Sequence, residues 1–354
     1  MRTYHVWAWA ALMAIAAFSC IAAAYGDDLA ADTSMSPAAP PAATPPPPPA
    51  AAAPAAAAPA AAAPAAAEAA PAAPEKGPPL PFLTIEGVGG GAITPMAYLV
   101  NPGDECHLFG KPSVALDWIN AGAKNLDMFA VSDTLNQRVE IGYSVERLGL
   151  GSLPSAIQTA TGKYIGSDVW LHNFDVRGLL VKENTCVGGL QMPAITLGLD
   201  AKYNGDIDDI NTTLGGALTK IGYSNPAGVD FTLTATKTFP EFFGRPVIAT
   251  AGLRLSEAAD VGFLGFGSTY HATFEGNVAC LLTDHILVAY EFRQKTDPYG
   301  EIPGLIGTES NWHAIDLAYI LNKHTTFVAG WAALGVLANT TENGAWYLQL
   351  KHEF

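Results

Sequence analysis

Charged residues are scarce in this sequence, and the charge that is present is mainly of one sign. Asp, Glu, Lys and Arg make up 14% of the 354 residues, hydrophobic residues make up 49%, and the formal net charge is −15. This acidity argues against nucleic acid as a partner, because the phosphates would be repelled. The composition is also unusually apolar for a soluble exported domain, because large apolar surfaces are unfavourable in water.

Long apolar runs are missing after residue 24, so no transmembrane helix is predicted there, since such a helix needs about 20 apolar residues. The one run, from Val6 to Ala24, follows the positive charge of Arg2 and ends in three alanines, with Asp27 close behind. This pattern predicts a cleaved signal peptide over residues 1–24. The alternatives are a retained membrane anchor and a lipoprotein that carries its lipid on Cys20.

Catalytic patterns are lacking as well. None of the eight histidines forms a pair at metal-ligand spacing with a carboxylate alongside. The glycine run Gly87–Gly91 lacks the Lys-Ser/Thr that follows in a phosphate-binding loop. Ser256, Asp260 and His271 flank one predicted loop, but residues of these types meet near loops by chance. We therefore expect no catalytic residues, and we expect that the protein is not an enzyme.

One acidic cluster comes near to a metal-binding pattern. Asp206, Asp208 and Asp209 lie close together, flanked by asparagines. They resemble a calcium loop, but the Glu at the twelfth position is absent. We expect no tightly bound metal and no cofactor, and keep this cluster as a weak candidate for divalent ions; the alternative is a solvated acidic turn.

Alanine and proline dominate the segment from Ser36 to about Pro79, which includes five consecutive prolines. Such a composition has no periodic apolar face, and recurrent proline blocks helical turns. Residues 25–79 are therefore predicted to be a disordered Ala/Pro-rich tether. It could contact the cell wall or a periplasmic protein, or serve as a passive spacer.

Apolar and polar residues alternate with a period of two in six later segments, as in strands with one apolar face. These segments are Arg138–Val145, Ile195–Tyr203, Val229–Ala235, Val247–Leu255, Ile286–Phe292 and Trp346–Phe354. Less regular strands are predicted at Val114–Asn120, Leu126–Thr134, Trp170–Val181, His271–Leu282, His313–Ile320 and Thr325–Ala332. The predicted fold is all-β: a transmembrane antiparallel β-barrel of about 12 strands over residues 113–354, preceded by a periplasmic entry segment over residues 80–112.

The predicted connections alternate between short and long. Those at 135–137, 283–285 and 322–324 are tight, whereas 147–169, 204–228, 256–270, 294–312 and 333–345 are long; 121–125 is a short exception, and 183–193 and 239–246 are intermediate. Outer-membrane barrels have short periplasmic turns and longer outer loops, whereas a soluble β-sandwich has no reason to alternate. The outer membrane of a Gram-negative bacterium is the predicted location, with its lipid as a partner.

Aromatic residues mark several predicted strand ends. Phe354 ends an alternating strand, as in the signal that the barrel assembly machinery reads, so this machinery is a predicted partner. Interfacial girdles are predicted from Trp118, Trp170, Trp312, Tyr319, Trp331 and Trp346.

Several motifs together resemble a bacterial family of exported proteins of unknown function, over residues 86–354. They are Gly91–Pro102, Gly110–Ser113, Thr238–Pro240, Phe243–Pro246, Ala251–Arg254 and Tyr290–Lys295. The resemblance supports the barrel and implies no particular chemistry.

Charged residues on the polar faces of the strands are predicted to face the lumen, where they require water or partners. They are Arg138, Glu140, Glu146, Asp175, Arg177, Asp200, Lys202, Asp230, Arg254, Glu275, Glu291, Arg293, Asp316 and Lys351. Two hypotheses follow: a narrow porin-like channel for small solutes, or a structural barrel that anchors the tether, its lumen occluded by these side chains.

Three cysteines remain once the signal peptide is removed. Cys106 and Cys186 are both predicted on the periplasmic side, whereas Cys280 lies within a strand. A disulfide between Cys106 and Cys186 is therefore predicted, with three free thiols as the alternative.

Overall fold

A computed structural model describes residues 82–103, 107–242 and 244–354. The predicted signal peptide (1–24) and tether (25–79) lie outside the described residues, as does Cys106, so these predictions stay as they are.

Twelve antiparallel strands close into one barrel, in which each strand pairs with its neighbours in sequence and β12 pairs with β1. This confirms the predicted fold class and strand number. The strands are β1 Ser113–Ala121, β2 Lys124–Leu135, β3 Val139–Gly149, β4 Asp168–Val181, β5 Ala194–Asn204, β6 Ala227–Phe242, β7 Arg245–Ala258, β8 Phe266–Leu281, β9 Ile286–Arg293, β10 Trp312–Ile320, β11 Thr325–Ala333 and β12 Ala345–Glu353.

Large apolar side chains cover the outside of the barrel. Because side chains alternate between the two faces of a strand, the apolar set of each strand points outward together. About half of each of these side chains is exposed. Exposing apolar surface is unfavourable in water, but it is not unfavourable in lipid. They include Leu116, Phe129, Ile141, Phe174, Leu197, Leu233, Leu253, Phe274, Tyr290, Ile315, Leu317, Phe327 and Leu350.

Five of the six predicted girdle aromatics are on this outer surface. Trp118, Trp170, Trp331, Trp346 and Tyr319 are 40–51% exposed, and the rings of Trp118 and Trp346 lie 4.5 Å apart, edge to face. The prediction for Trp312 is wrong. Its ring is buried inside the barrel, where the Lys295 ammonium lies 4.7 Å from the ring centroid, because this tryptophan occupies an inward position of β10.

The connections alternate in length around most of the barrel, and the rim with the longer ones is the outer rim. Two predicted boundaries are wrong. The segment 256–270 is mostly strand, since β7 continues to Ala258 and β8 begins at Phe266, leaving only 259–265 between them. The segment 239–246 contains no loop of that length, since β6 continues to Phe242 and β7 begins at Arg245.

Short helices stand on the outer rim. They are α1 Leu153–Thr161, α2 Ile207–Thr213 and α3 Ala217–Ile221, with one 3₁₀ turn at Asp260–Gly262. Pro154 lies in the first turn of α1 and the left-handed Gly162 follows its last residue, both usual places for these residues. Two-residue hairpin strands pair Phe82–Leu83 with Gly89–Gly90, Cys186–Val187 with Leu190–Gln191, and Val336–Leu337 with Thr340–Thr341.

No helix in the described part of the chain is both long enough and apolar enough to cross a membrane.

The interior of the barrel is packed, partly with apolar groups. Inward residues such as Ile119, Leu126, Leu148 and Tyr347 join the outer loops in one buried hydrophobic cluster. The predicted polar inner face is therefore only part of the wall, because the outer ends of several strands turn apolar side chains inward.

Candidate functional site

The lumen contains a segment of the chain itself, residues 82–100, which we call the plug. All of its residues are buried except Tyr98, which is half-buried. The predicted periplasmic entry segment (80–112) is corrected accordingly, since its first part lies inside the barrel. Nothing in the periodicity of this segment indicates a strand of the wall, and its polar groups find their partners in the lumen instead.

Glu86 of the plug is the centre of an ion-pair network with the wall. Its carboxylate accepts hydrogen bonds from Arg254 of β7 (Nη2–Oε2, 2.8 Å), Arg293 of β9 (Nη2–Oε1, 2.6 Å) and Lys202 of β5. These four side chains are at most 4% exposed. Removing one partner of a buried ion pair typically costs about 3–5 kcal/mol, because the other charge stays buried. Glu86 therefore fixes the plug to three strands at once.

Further acidic residues of the wall balance the same cations. Lys202 Nζ lies 3.2 Å from Asp200 Oδ2 and 3.1 Å from Asp230 Oδ2. Arg254 Nε lies 3.1 Å from Glu275 Oε2. The carboxylates of Glu86, Asp200 and Asp230 come close enough together to hold a metal ion, but the Lys202 ammonium contacts all three and occupies that role. The cluster is thus an ion-pair network.

Glu291 of β9 binds the backbone of the plug. Its carboxylate accepts hydrogen bonds from the N–H groups of Ala92 (2.6 Å), Ile93 (3.3 Å) and Thr94 (2.8 Å), and from the Thr94 hydroxyl. Gly91 passes directly over this carboxylate. A Cβ atom at Gly91 would lie 2.3 Å from Glu291 Oε2, so glycine is required for the approach.

Glu140 of β3 joins the middle of the plug to its last residue. It accepts hydrogen bonds from Gly89 N (2.9 Å) and Val100 N (2.7 Å), and it pairs with Arg177 of β4 (2.8 Å). Arg177 in turn donates to the carbonyl of Met96 (2.6 Å). Three strands from β3 around the barrel, Gln349 of β12 donates to the carbonyl of Leu83 (2.7 Å). The plug is thus bonded around the whole ring.

The predicted lumen charges lie almost entirely inside the barrel: every one except Arg138 is buried. Arg138 lies in the turn before β3, partly exposed, where it donates to the carbonyl of Leu179. Asp316 accepts a hydrogen bond from Tyr347, and Lys351 donates to Glu353. Sequence reasoning missed Glu86 and Gln349. The one available signal for Glu86 was its place at the start of the segment that carries the family resemblance.

The weak metal candidate has other partners. Asp206, Asp208 and Asp209 lie at the first turn of α2, where negative charge is favourable. Asp206 accepts a hydrogen bond from the Trp170 N–H and Asp208 from the Tyr223 hydroxyl, both at 2.8 Å.

Of Ser256, Asp260 and His271, the structure places Ser256 opposite His271 in the pairing of β7 with β8, but gives Asp260 other partners. Asp260 pairs with Lys295 (3.1 Å), and Ser256 accepts a hydrogen bond from the Ala258 N–H (3.0 Å).

Two remaining predicted residues lie at the periplasmic rim. Phe354 is exposed, and its N–H donates to the Pro112 carbonyl at 3.1 Å. Cys186 is exposed in its short hairpin. Because Cys106 lies outside the described residues, the disulfide stays a prediction.

A closed twelve-strand antiparallel barrel with a lipid-compatible exterior defines the class: this is an outer-membrane β-barrel protein. Within that class, the chain belongs to the family described as "Protein of unknown function (DUF3034)", whose model matches residues 82–351. The family match begins at the plug, so the plug and the barrel together form the unit that the family shares.

Solved structures with a similar barrel include proteins of different kinds. The KdgM porin has a TM-score of 0.40 and 10% identity, covering 68% of this chain and 99% of its own. The outer membrane protein Omp33 of Acinetobacter baumannii gives 0.36 and 9%, covering 70% and 99%. The outer membrane phospholipase A of Escherichia coli gives 0.33 and 7%, covering 69% and 93%. Likenesses this weak carry no information about function. No curated protein sequence matches the chain.

Proposed function

We propose that the protein is a porin-like channel for small solutes whose lumen is closed by the plug and opens when the plug leaves. The observation that carries this proposal is the Glu86 network, in which one plug carboxylate pairs with Arg254, Arg293 and Lys202 of the wall. Charged and polar contacts fix the plug to the wall, and water can replace such contacts when they separate, while Ile85, Ile93 and Met96 pack in the buried hydrophobic cluster.

The chemistry of the contact surface supports a removable plug. A permanent core gains little from buried ion pairs, because apolar residues of similar volume are often equally or more stabilising. A surface that alternates between a buried and a hydrated state has to remain soluble when exposed. Acidic residues outnumber basic ones on the wall that faces the plug, so the open lumen would favour cations modestly.

Planar-bilayer recordings of the wild type and Glu86→Gln test the proposal. We expect rare, narrow, mildly cation-selective steps from the wild type. Glu86→Gln removes the charge and so weakens the hydrogen bonds that hold the plug. A loss of about 2 kcal/mol corresponds to a roughly 30-fold higher open probability. Asp168→Asn is the matched control, because it makes the same change in the part-exposed Arg147–Asp168 pair on the outer rim, and we expect it to behave as the wild type.

A second candidate function is a permanently closed barrel that anchors the tether and the outer loops. The bonding of the plug around the whole ring, from Glu140 to Gln349, favours it. Folded wild type and Glu86→Gln that both stay silent would support the anchor and reject the channel. A wild type that is constantly open would reject both.

Two partners complete the proposal. The barrel assembly machinery would recognise the last strand through Phe354, whose side chain is exposed. The tether over residues 25–79 would connect the barrel to the cell wall or to a periplasmic protein.

A further inference from the structure

An apolar cavity of about 160 Å³ lies among the outer loops. Its walls come from all three short helices, through side chains such as Leu153 and Ile157 of α1, Ile207 of α2 and Leu218 of α3. These four side chains are buried. Apart from the Thr161 side chain, every group that lines the cavity belongs to an alanine, a leucine, an isoleucine, a valine or a phenylalanine.

On the β4 side, the cavity is shielded from the surrounding lipid. Val169, which contributes to its floor, is 1% exposed and points inward, whereas the neighbouring Trp170 is 43% exposed on the outer face of β4. Because adjacent residues of a strand face opposite sides, the β4 wall separates the cavity from the membrane. A lipid chain in the bilayer therefore does not reach it through the wall.

Size and lining together indicate the occupant. Protein interiors are normally packed to the density of organic crystals, so a void of this size is unusual. Apolar cavities of about 150 Å³ stay free of water and bind benzene or xenon. Water would find no set of polar partners here, since the lining offers only apolar side chains and one threonine hydroxyl.

A second apolar cavity lies deeper, between the outer loops and the plug. It measures about 40 Å³ and is lined by Ile85 and Ile93 of the plug and by Trp312 of β10, among others. Phe263 lines both cavities. Its ring therefore stands between the outer cavity and the space above the plug.

The loop that carries Phe263 is held inside the barrel mouth by polar contacts. Asp260 pairs with Lys295 (3.1 Å) and accepts a hydrogen bond from the Ala338 N–H (2.8 Å). Asn204 donates to the carbonyl of Phe263 (2.8 Å). Val261 has a φ of 53°, a conformation that β-branched residues rarely adopt. The loop is thus fixed in a strained shape that presents Phe263 to both cavities.

We propose that the outer cavity is a binding site for a free, uncharged apolar molecule of about the size of a benzene ring, with Phe263 as the partition between it and the inner cavity. The proposal does not depend on whether the barrel conducts ions, because the cavity is built by the outer loops and not by the charged wall. The outer loops would then bind an apolar molecule, for which the ion-pair network below them offers no site.

Methyl NMR of the full-length protein in lipid nanodiscs, titrated with fluorobenzene, tests the site. Ile157 and Ile207 line the cavity, whereas Ile141 and Ile315 are 40% and 51% exposed on the lipid-facing surface. We expect the cavity methyl shifts to saturate. The lipid-facing methyl shifts should instead rise in proportion to the probe, because fluorobenzene partitions into the bilayer without a site.

Two tryptophan variants make the test specific. Leu214→Trp places a larger side chain in the lining of the cavity and is expected to weaken the saturable binding at least tenfold. Leu197→Trp adds the same side chain on the lipid-facing surface, where Leu197 is 50% exposed, and is expected to leave binding unchanged. If Leu214→Trp fails to fold, Leu214→Asn replaces it, since an amide in the apolar lining also disfavours the probe.

Three results would overturn the site: cavity methyl groups that follow the same linear course as Ile315, equal binding by wild type and a folded Leu214 variant, or cavity methyl groups that contact lipid chains and do not respond to fluorobenzene. None of these results bears on the conductance of the Glu86→Gln variant, so failure of the site and failure of the channel are separate outcomes.

Discussion

Replacing Gly91 by alanine is the sharpest test of how the plug is held. The added Cβ would lie 2.3 Å from Glu291 Oε2, whereas ordinary contact begins at about 3.4 Å, so the carboxylate has to retreat by about 1 Å. The φ of Gly91 is not in the left-handed region, so the substitution causes no backbone strain of that kind. The clash with Glu291 is thus its main effect.

The size of the effect follows from the hydrogen bonds that Glu291 would lose. The Ala92 N–H lies 2.6 Å from Oε1 and the Thr94 N–H 2.8 Å from Oε2. A retreat of about 1 Å takes both beyond hydrogen-bond distance. Each bond to a charged group contributes about 1.5–3 kcal/mol, so losing one or two, with partial relaxation, weakens the plug by about 2–4 kcal/mol.

Amide hydrogen exchange at residues 92–94 measures this change directly. A loss of about 2–4 kcal/mol corresponds to exchange faster by roughly 30- to 1000-fold, if the plug opens locally. The matched control is Gly344→Ala in the connection between β11 and β12, where an added Cβ meets no atom within 4 Å. Both variants restrict the unfolded chain equally, so their difference isolates the contact with Glu291.

Equal protection of residues 92–94 in the two folded variants would refute this reasoning. It would mean that Glu291 does not hold the plug, or that the plug moves as a whole without losing those bonds. Faster exchange throughout the barrel would instead indicate that the clash destabilises β9 itself.

Three further predictions concern the loops and the periplasmic rim. Burial raises the pKa of Glu309 to about 7, so the neutral carboxyl favours the folded loops, and this stabilisation is lost as pH rises through 7. At pH 8 the charged Glu309 depends on the neighbouring Lys295 cation, so Lys295→Met should lower the melting temperature more at pH 8 than at pH 5. An equal loss at the two pH values would contradict this. Deletion of Phe354 should reduce outer-membrane insertion but not export, as fractionation would reveal; normal insertion would exclude its role as an assembly signal. Peptide mapping without reductant should recover Cys106 joined to Cys186, and alkylation of both thiols would exclude the bridge.

Much of the barrel could be predicted from the sequence because its strands alternate strictly. Segments such as Ile195–Tyr203 keep one apolar face along their whole length, because that face contacts lipid on the outside of the barrel. The predicted start of β8 at His271 was late because residues 266–270 do not alternate: Phe266 is fully buried, and Ser268 to Tyr270 are all exposed. The pairing of β8 with β7 extends the strand there, which a local pattern does not reveal.

The plug could not be predicted, since its contacts join residues far apart in sequence. Ala92 and Glu291 are 199 positions apart, and Glu86 and Arg254 are 168. The alternation of polar and apolar residues places Glu291 and Arg254 on the inner face of the wall, but water would satisfy them there as well as a plug. Glycine and proline interrupt residues 87–102, so neither helical nor strand periodicity develops. Close approaches in the folded state explain these glycines: a Cβ at Gly90 would lie 2.3 Å from the Thr94 carbonyl oxygen, and one at Gly91 2.3 Å from Glu291 Oε2.

The plug also constrains the biogenesis of the protein. It belongs to the first part of the domain that leaves the ribosome, yet Leu83 bonds to Gln349, 266 positions later and on the final strand. Each contact of this kind has to wait until a long loop of chain has closed, which slows folding. Glu86, the charged residue of the plug, therefore has to stay hydrated in the periplasm while the wall is built around it. Seam closure between β12 and β1 is then also the step that completes the seal.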